Sequence, residues 1–200
     1  MKDSKVRVNG IDLHLADFGG QGETIFCVHG LSSNCRIWDA LAERLTDQYR
    51  VLAIDLRGRG DSDKPDSGYN IPQHVEDIKA LLDSLDLEKI VFCGHSLGAS
   101  IGAAFATTYP ERVSRLILVD GSADVGDVVF DLLRPSIDRL GKVSPDFSSY
   151  IGAVKAGPFF PEWNAYIEQH YYFDAQHNPD GSVVSKVKKS AIEEEIVALQ

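Results

Sequence analysis

Gly94-His95-Ser96-Leu97-Gly98 places a serine two residues from a glycine on each side. A serine hydroxyl is a weak nucleophile until a base takes its proton; it then attacks acyl carbonyls and forms a covalent intermediate. The flanking residues show where this serine sits. Ile90-Val91-Phe92-Cys93 before it is apolar and strand-like, and Leu97 to Tyr109 after it is a small-residue helical segment closed by Pro110. Ser96 therefore falls where a strand turns sharply into a helix. That turn forces strained dihedrals on the serine, and glycine at the flanks lets the chains approach closely.

The elements that must hold this turn follow from periodicity. Val6-Arg7-Val8 and Ile11 to Leu15 alternate around Asn9-Gly10, which predicts an antiparallel hairpin. Thr24 to Val28, Val51 to Ile54, Ile90 to Cys93 and Val113 to Val119 are nearly all apolar, as strands covered on both faces are. Helices are predicted between them, over Asn34 to Asp47 with Ile37, Trp38, Leu41 and Leu45 on one face, and over Pro72 to Leu85. Strand–helix alternation through residue 119 implies right-handed crossovers and a mostly parallel sheet. Residues 124–200 have helical periodicity and no convincing buried strand. Half of the chain's 18 aromatic residues fall between Phe147 and Phe173, including Phe159 and Phe160. This segment reads as a helical lid whose rings divide between core packing and the lining of an apolar pocket.

Composition excludes several classes. A net charge of −10 argues against nucleic acid and against anionic membrane surfaces, both of which require clustered Lys and Arg. Neither a secretory leader nor a membrane-spanning run is read, and a cytoplasmic location is expected. Cys27, Cys35 and Cys93 lack metal-ligand spacing, so no metal or other cofactor is expected and buried thiols are.

Three motifs in order resemble the α/β-hydrolase family, specifically its cap-bearing members with a serine nucleophile. His29-Gly30-Leu31 follows the third strand, Asp55-Leu56-Arg57-Gly58-Arg59-Gly60-Asp61-Ser62 the fourth, and the serine turn the fifth. The resemblance implies an α/β-hydrolase fold, a mostly parallel sheet with helices on both faces plus a helical cap. It divides the chain into residues 1–122, the N-terminal part of the core, and 123–200, a cap ending within a helix. Ser96 is then the nucleophile, and the backbone N–H groups of Leu31 and Leu97 are the oxyanion donors. His29 and Gly30 support the oxyanion loop and His95 the turn, its side chain directed away from the serine. Asp55 bonds turn amides, and the glycines of its motif supply unusual backbone dihedrals near the active-site rim.

The implied chemistry is hydrolysis of a small, largely apolar ester or lactone through an acyl-enzyme. An acyltransferase, a C–C bond hydrolase and a ligand-binding homologue without turnover stay open. In this family the order is serine, then a carboxylate, then histidine. After Ser96 the only histidines are His170 and His177, both in the expected cap. The base is therefore expected from outside residues 1–200, from a C-terminal remainder of the same fold in the same or a separate chain. That remainder holds the last strands and covers an otherwise apolar sheet edge at Val113 to Val119. The acid is either Asp120 or a carboxylate beyond residue 200.

Overall fold

A computed structural model describes residues 1–121, 127–157 and 162–200. The expected domain boundary at 122/123, and Phe159 and Phe160, lie outside the described residues. In chain order the elements are β1 (Lys2–Val8), β2 (Ile11–Gly19), β3 (Thr24–Val28), a 3₁₀ turn (Cys35–Trp38), α1 (Asp39–Leu45), β4 (Arg50–Ile54), α2 (Ile71–Ser84), β5 (Ile90–His95), α3 (Leu97–Thr108) and β6 (Val113–Val119). Then follow α4 (Asp127–Asp138), α5 (Phe147–Lys155), α6 (Ala165–Asp174), β7 (Ala175–His177), β8 (Val183–Ser185) and α7 (Lys189–Leu199).

β1 to β6 form one sheet in the order β1-β2-β4-β3-β5-β6. β1 and β2 are an antiparallel hairpin, and β2 pairs antiparallel with β4; β4, β3, β5 and β6 run parallel. Alternate residues of β3 divide between two cores, as a pleated strand requires. Phe26 and Val28 join the larger core, with Ile78, Leu81 and Leu82 of α2 and Ile101 and Phe105 of α3. Ile25 and Cys27 face the other side, against Cys35, Trp38 and Ala42. The three cysteines are buried free thiols. The helix expected over Asn34 to Asp47 is split. Asn34 caps the 3₁₀ turn by accepting from the Arg36 N–H, and α1 starts only at Asp39.

β6 is the outer strand, with Leu116, Ile117, Leu118 and Val119 between 36% and 51% exposed. The apolar edge foreseen in the sequence is thus open among the described residues.

Two features of residues 124–200 depart from expectation. β7 and β8 pair antiparallel around a turn closed by Asn178 and Ser182, so the segment is not wholly helical. The last helix does not stay with the cap. Ile192 joins the larger core, with Ile196 and Leu199 packed against it, so α7 belongs with the sheet. Between these, Tyr150, Ile151, Val154, Tyr171, Ala175 and Val183 form a separate small core, with Phe147 and Trp163 at its margin. Those rings are the cap's own packing. No helix among the described residues is long and apolar enough to cross a membrane.

Candidate active site

Ser96 is the hinge between β5 and α3, with φ 53° and ψ −116°. Its N–H donates to the Val119 carbonyl of β6 at 3.0 Å, and its carbonyl accepts from Ala99 N–H at 2.8 Å. The glycines make this turn possible by leaving room. A Cβ on Gly94 would lie 2.1 Å from the Gly98 carbonyl oxygen, and one on Gly98 2.2 Å from that of Val28. Leu97 opens α3, so its N–H belongs to the first turn, where backbone donors have no intrahelical acceptor and the helix dipole favours negative charge.

The loop after β3 lies directly against this turn. A Cβ on Gly30 would meet His95 Nδ1 at 3.0 Å and Ser96 Cβ at 3.2 Å. His95 Nδ1 thus lies over Gly30, packing the turn against the loop. Burial lowers its pKa, and the charge of Asp120 opposes that. His29 is fully buried, and burial pushes it down to about 4, so it is neutral near pH 7. Leu56 N–H donates to its Nε2 at 3.0 Å. Nδ1 must then carry the proton, and it donates to the Gly30 carbonyl at 2.7 Å. That carbonyl shares a peptide plane with the Leu31 N–H, so His29 fixes the direction of that donor.

The Asp55 motif braces the loop from beneath. Asp55 Oδ1 accepts Cys35 N–H at 2.7 Å and Oδ2 accepts Asp61 N–H at 2.9 Å. His14 Nδ1 also bonds Oδ2, at 2.8 Å. His14, Cys35 and Asp55 bring three potential metal ligands within 4.8 Å. The carboxylate is committed to two amides and an imidazole, so the trio is a polar bracket between loops.

The remaining histidines have other partners or places. His74 bonds Glu195. His177 packs on Phe147 and Tyr172 in the cap. His170, on α6, is buried beneath the cap edge, with its carbonyl accepting from Asn34 Nδ2 at 3.3 Å. Burial pushes it down to about 4. Asp120 follows Val119 at the sheet edge with φ 48°, exposed beside the serine turn.

Sequence reasoning missed one arrangement. Arg59, His74 and Glu195 meet in a fully buried cluster that touches the loop after β3 at the Leu31 carbonyl. Nothing local in the α7 sequence marks Glu195 as buried.

Residues 23–195 match the family described as alpha/beta hydrolase fold. The chain belongs to that family. Among hydrolases of the fold, it is 29% identical over 155 residues to the 2-(acetamidomethylene)succinate hydrolase of Mesorhizobium japonicum, covering 78% of this chain and 55% of that protein. It is 40% identical over 119 residues to the cis-3-alkyl-4-alkyloxetan-2-one decarboxylase of Shewanella oneidensis, covering 58% of this chain and 37% of that protein. The crystal structure of E-2-(acetamidomethylene)succinate hydrolase superposes with a TM-score of 0.90 at 25% identity, over 99% of this chain and 73% of that one. The match to the two curated relatives thus spans 55% of one and 37% of the other.

Proposed function

We propose that the protein is a serine hydrolase cleaving a small, largely apolar ester or lactone through an acyl-enzyme on Ser96. The observation that carries this is Ser96 at φ 53° on a glycine-permitted turn, with the Gly30-Leu31 loop packed against it. Ser96 Oγ adds to the carbonyl carbon as its proton passes to a histidine from outside residues 1–200. The carbonyl oxygen takes the negative charge and is met by the Leu31 and Leu97 N–H groups, held in place before reaction. Collapse expels the alcohol, which takes the proton from that histidine, and water then releases the acid by the same route. Asp120, or a carboxylate beyond residue 200, orients the histidine.

A second reading has its own support. Likeness to a 2-(acetamidomethylene)succinate hydrolase favours a carboxylated substrate of the succinate kind rather than an apolar ester. One experiment addresses both. Full-length protein is treated with a fluorophosphonate and assayed against p-nitrophenyl esters, lactones and 2-(acetamidomethylene)succinate. Stoichiometric modification of Ser96 with ester or lactone turnover supports the first reading. Modification with turnover of only the succinate supports the second. An unmodified Ser96 removes the nucleophile from both and leaves a binding protein.

A further inference from the structure

Arg59 has no exposed surface, although it carries a permanent charge. Its three donor groups go to three different segments. Nε donates to the Leu31 carbonyl at 3.0 Å, Nη1 to the Arg57 carbonyl at 2.9 Å, and Nη2 to Glu195 Oε2 at 2.8 Å. Glu195 comes from α7, and the same oxygen accepts from His74 Nε2 of α2 at 2.8 Å. The guanidinium thus joins the oxyanion loop, the loop after β4 and the last helix at one point.

Stability alone is a poor reason for such a cluster. Buried ion pairs are on average no more stabilising than apolar side chains of the same volume, because desolvation offsets the attraction. An apolar side chain, however, cannot hold a carbonyl. The Leu31 carbonyl lies in the peptide that follows the Leu31 N–H, and His29 already holds the peptide that contains that N–H. With Arg59 on the far side, both peptide planes flanking Leu31 Cα are fixed. A positioned donor stabilises an oxyanion without reorganising at the moment of reaction.

We propose that Arg59, with its charge held by Glu195, is the positioning residue of the oxyanion loop, fixing the Leu31 backbone so that its N–H stays directed at the reacting carbonyl oxygen. This rests on Leu31 N–H being an oxyanion donor, as the proposed hydrolase requires. It goes further by making α7 part of the catalytic scaffold. Lysine cannot replace the arginine, because one ammonium cannot reproduce a planar fork with three separated partners.

The test uses full-length R59K and the double variant R59M/E195M, in which both charges leave together and neither is stranded. Each is compared with wild type in turnover and in amide exchange at Ser33, whose N–H closes the loop onto the Gly30 carbonyl at 3.3 Å. The expected result is a fall in kcat of about 10–100-fold with KM within about threefold, below the 10²–10³ loss of a deleted oxyanion donor. Exchange at Ser33 should accelerate about tenfold or more. Folded variants with wild-type kcat and wild-type Ser33 exchange would overturn the proposal. If wild type neither turns over nor labels at Ser96, the hydrolase reading fails by itself. Ser33 exchange then decides for Arg59: acceleration keeps its hold on the loop, and no change removes it. Should R59K fail to fold, the double variant carries the measurement.

Discussion

Ser96 stores strain where the proposed chemistry needs it. A non-glycine residue at φ 53° costs about 1–3 kcal/mol, which the surrounding packing must offset. Two substitutions separate strain from chemistry. S96A keeps the Cβ and the strain, whereas S96G removes both. Both variants are expected to lose fluorophosphonate labelling, and S96G should be the more stable by about 1 kcal/mol in urea unfolding. Equal stability would mean that the strain is no larger than the entropy cost of glycine, about 0.5–1 kcal/mol. Gly98 behaves differently, because its limit is space rather than dihedral angle. A methyl there would press on the Val28 backbone at 2.2 Å, and backbone cannot swing aside as a side chain can. G98A should cost about 3 kcal/mol or more and misplace the Leu97 N–H. A G98A protein with wild-type melting temperature and turnover would refute that.

At the scale of elements, the cap holds together around one carboxylate. Asp174, at the end of α6, bonds Tyr150 of α5, Ser185 of β8 at 3.1 Å and Arg139 beyond α4 at 3.2 Å. Asp174 is 1% exposed, so removing its charge leaves Arg139 without a counter-ion in a largely dry site. D174N should destabilise the cap by about 3 kcal/mol, read as faster amide exchange across residues 127–157 and 162–185. Exchange in β3 to β5 should stay near wild type. Uniform acceleration would show instead that cap and sheet unfold as one unit. The same elements show what the sequence made legible. Strands β3, β4 and β5 stand out because burial on both faces leaves an uninterrupted apolar run, and the serine turn because glycine marks both flanks. The β7–β8 hairpin was hidden because three-residue strands carrying Gln176 and His177 show no period. The docking of α7 was hidden because Glu195 reads as solvent-facing until Arg59, 136 residues away, is placed beside it. The proposed oxyanion donors, Leu31 and Leu97, were nominated from local motif order. Their support was not, since it is built from contacts between distant segments.

For the whole molecule, the buried histidines set how stability depends on pH. His29 and His170 are pushed by burial to about 4, well below the unfolded value near 6.5, and burial lowers His74 and His95 as well. Between about pH 4 and 6.5 the unfolded chain binds more protons at these sites than the folded one, so stability rises with pH. His29 and His170 each contribute about 3 kcal/mol over that span. Asp39 acts oppositely. Burial raises it to about 6 against the pull of Arg36, so its folded form holds a proton that the unfolded form releases. It offsets about one histidine, leaving a net gain of about 3 kcal/mol or more from pH 4 to 6.5. His14 reverses the slope above that. Burial lowers its pKa, but its hydrogen bond to Asp55 and the charges of Asp55 and Asp3 raise it more. Its contribution is complete below pH 6.5 and is lost as pH rises through the folded value. Urea unfolding from pH 4.5 to 8.5 should therefore give a maximum just above pH 7, once the unfolded histidines have lost their protons, steep on the acid side and shallow on the alkaline side. H14N should flatten only the alkaline limb. A wild-type curve that keeps rising past pH 7.5, or an alkaline limb unchanged in H14N, would mean that His14 is not held protonated by Asp55 in the fold.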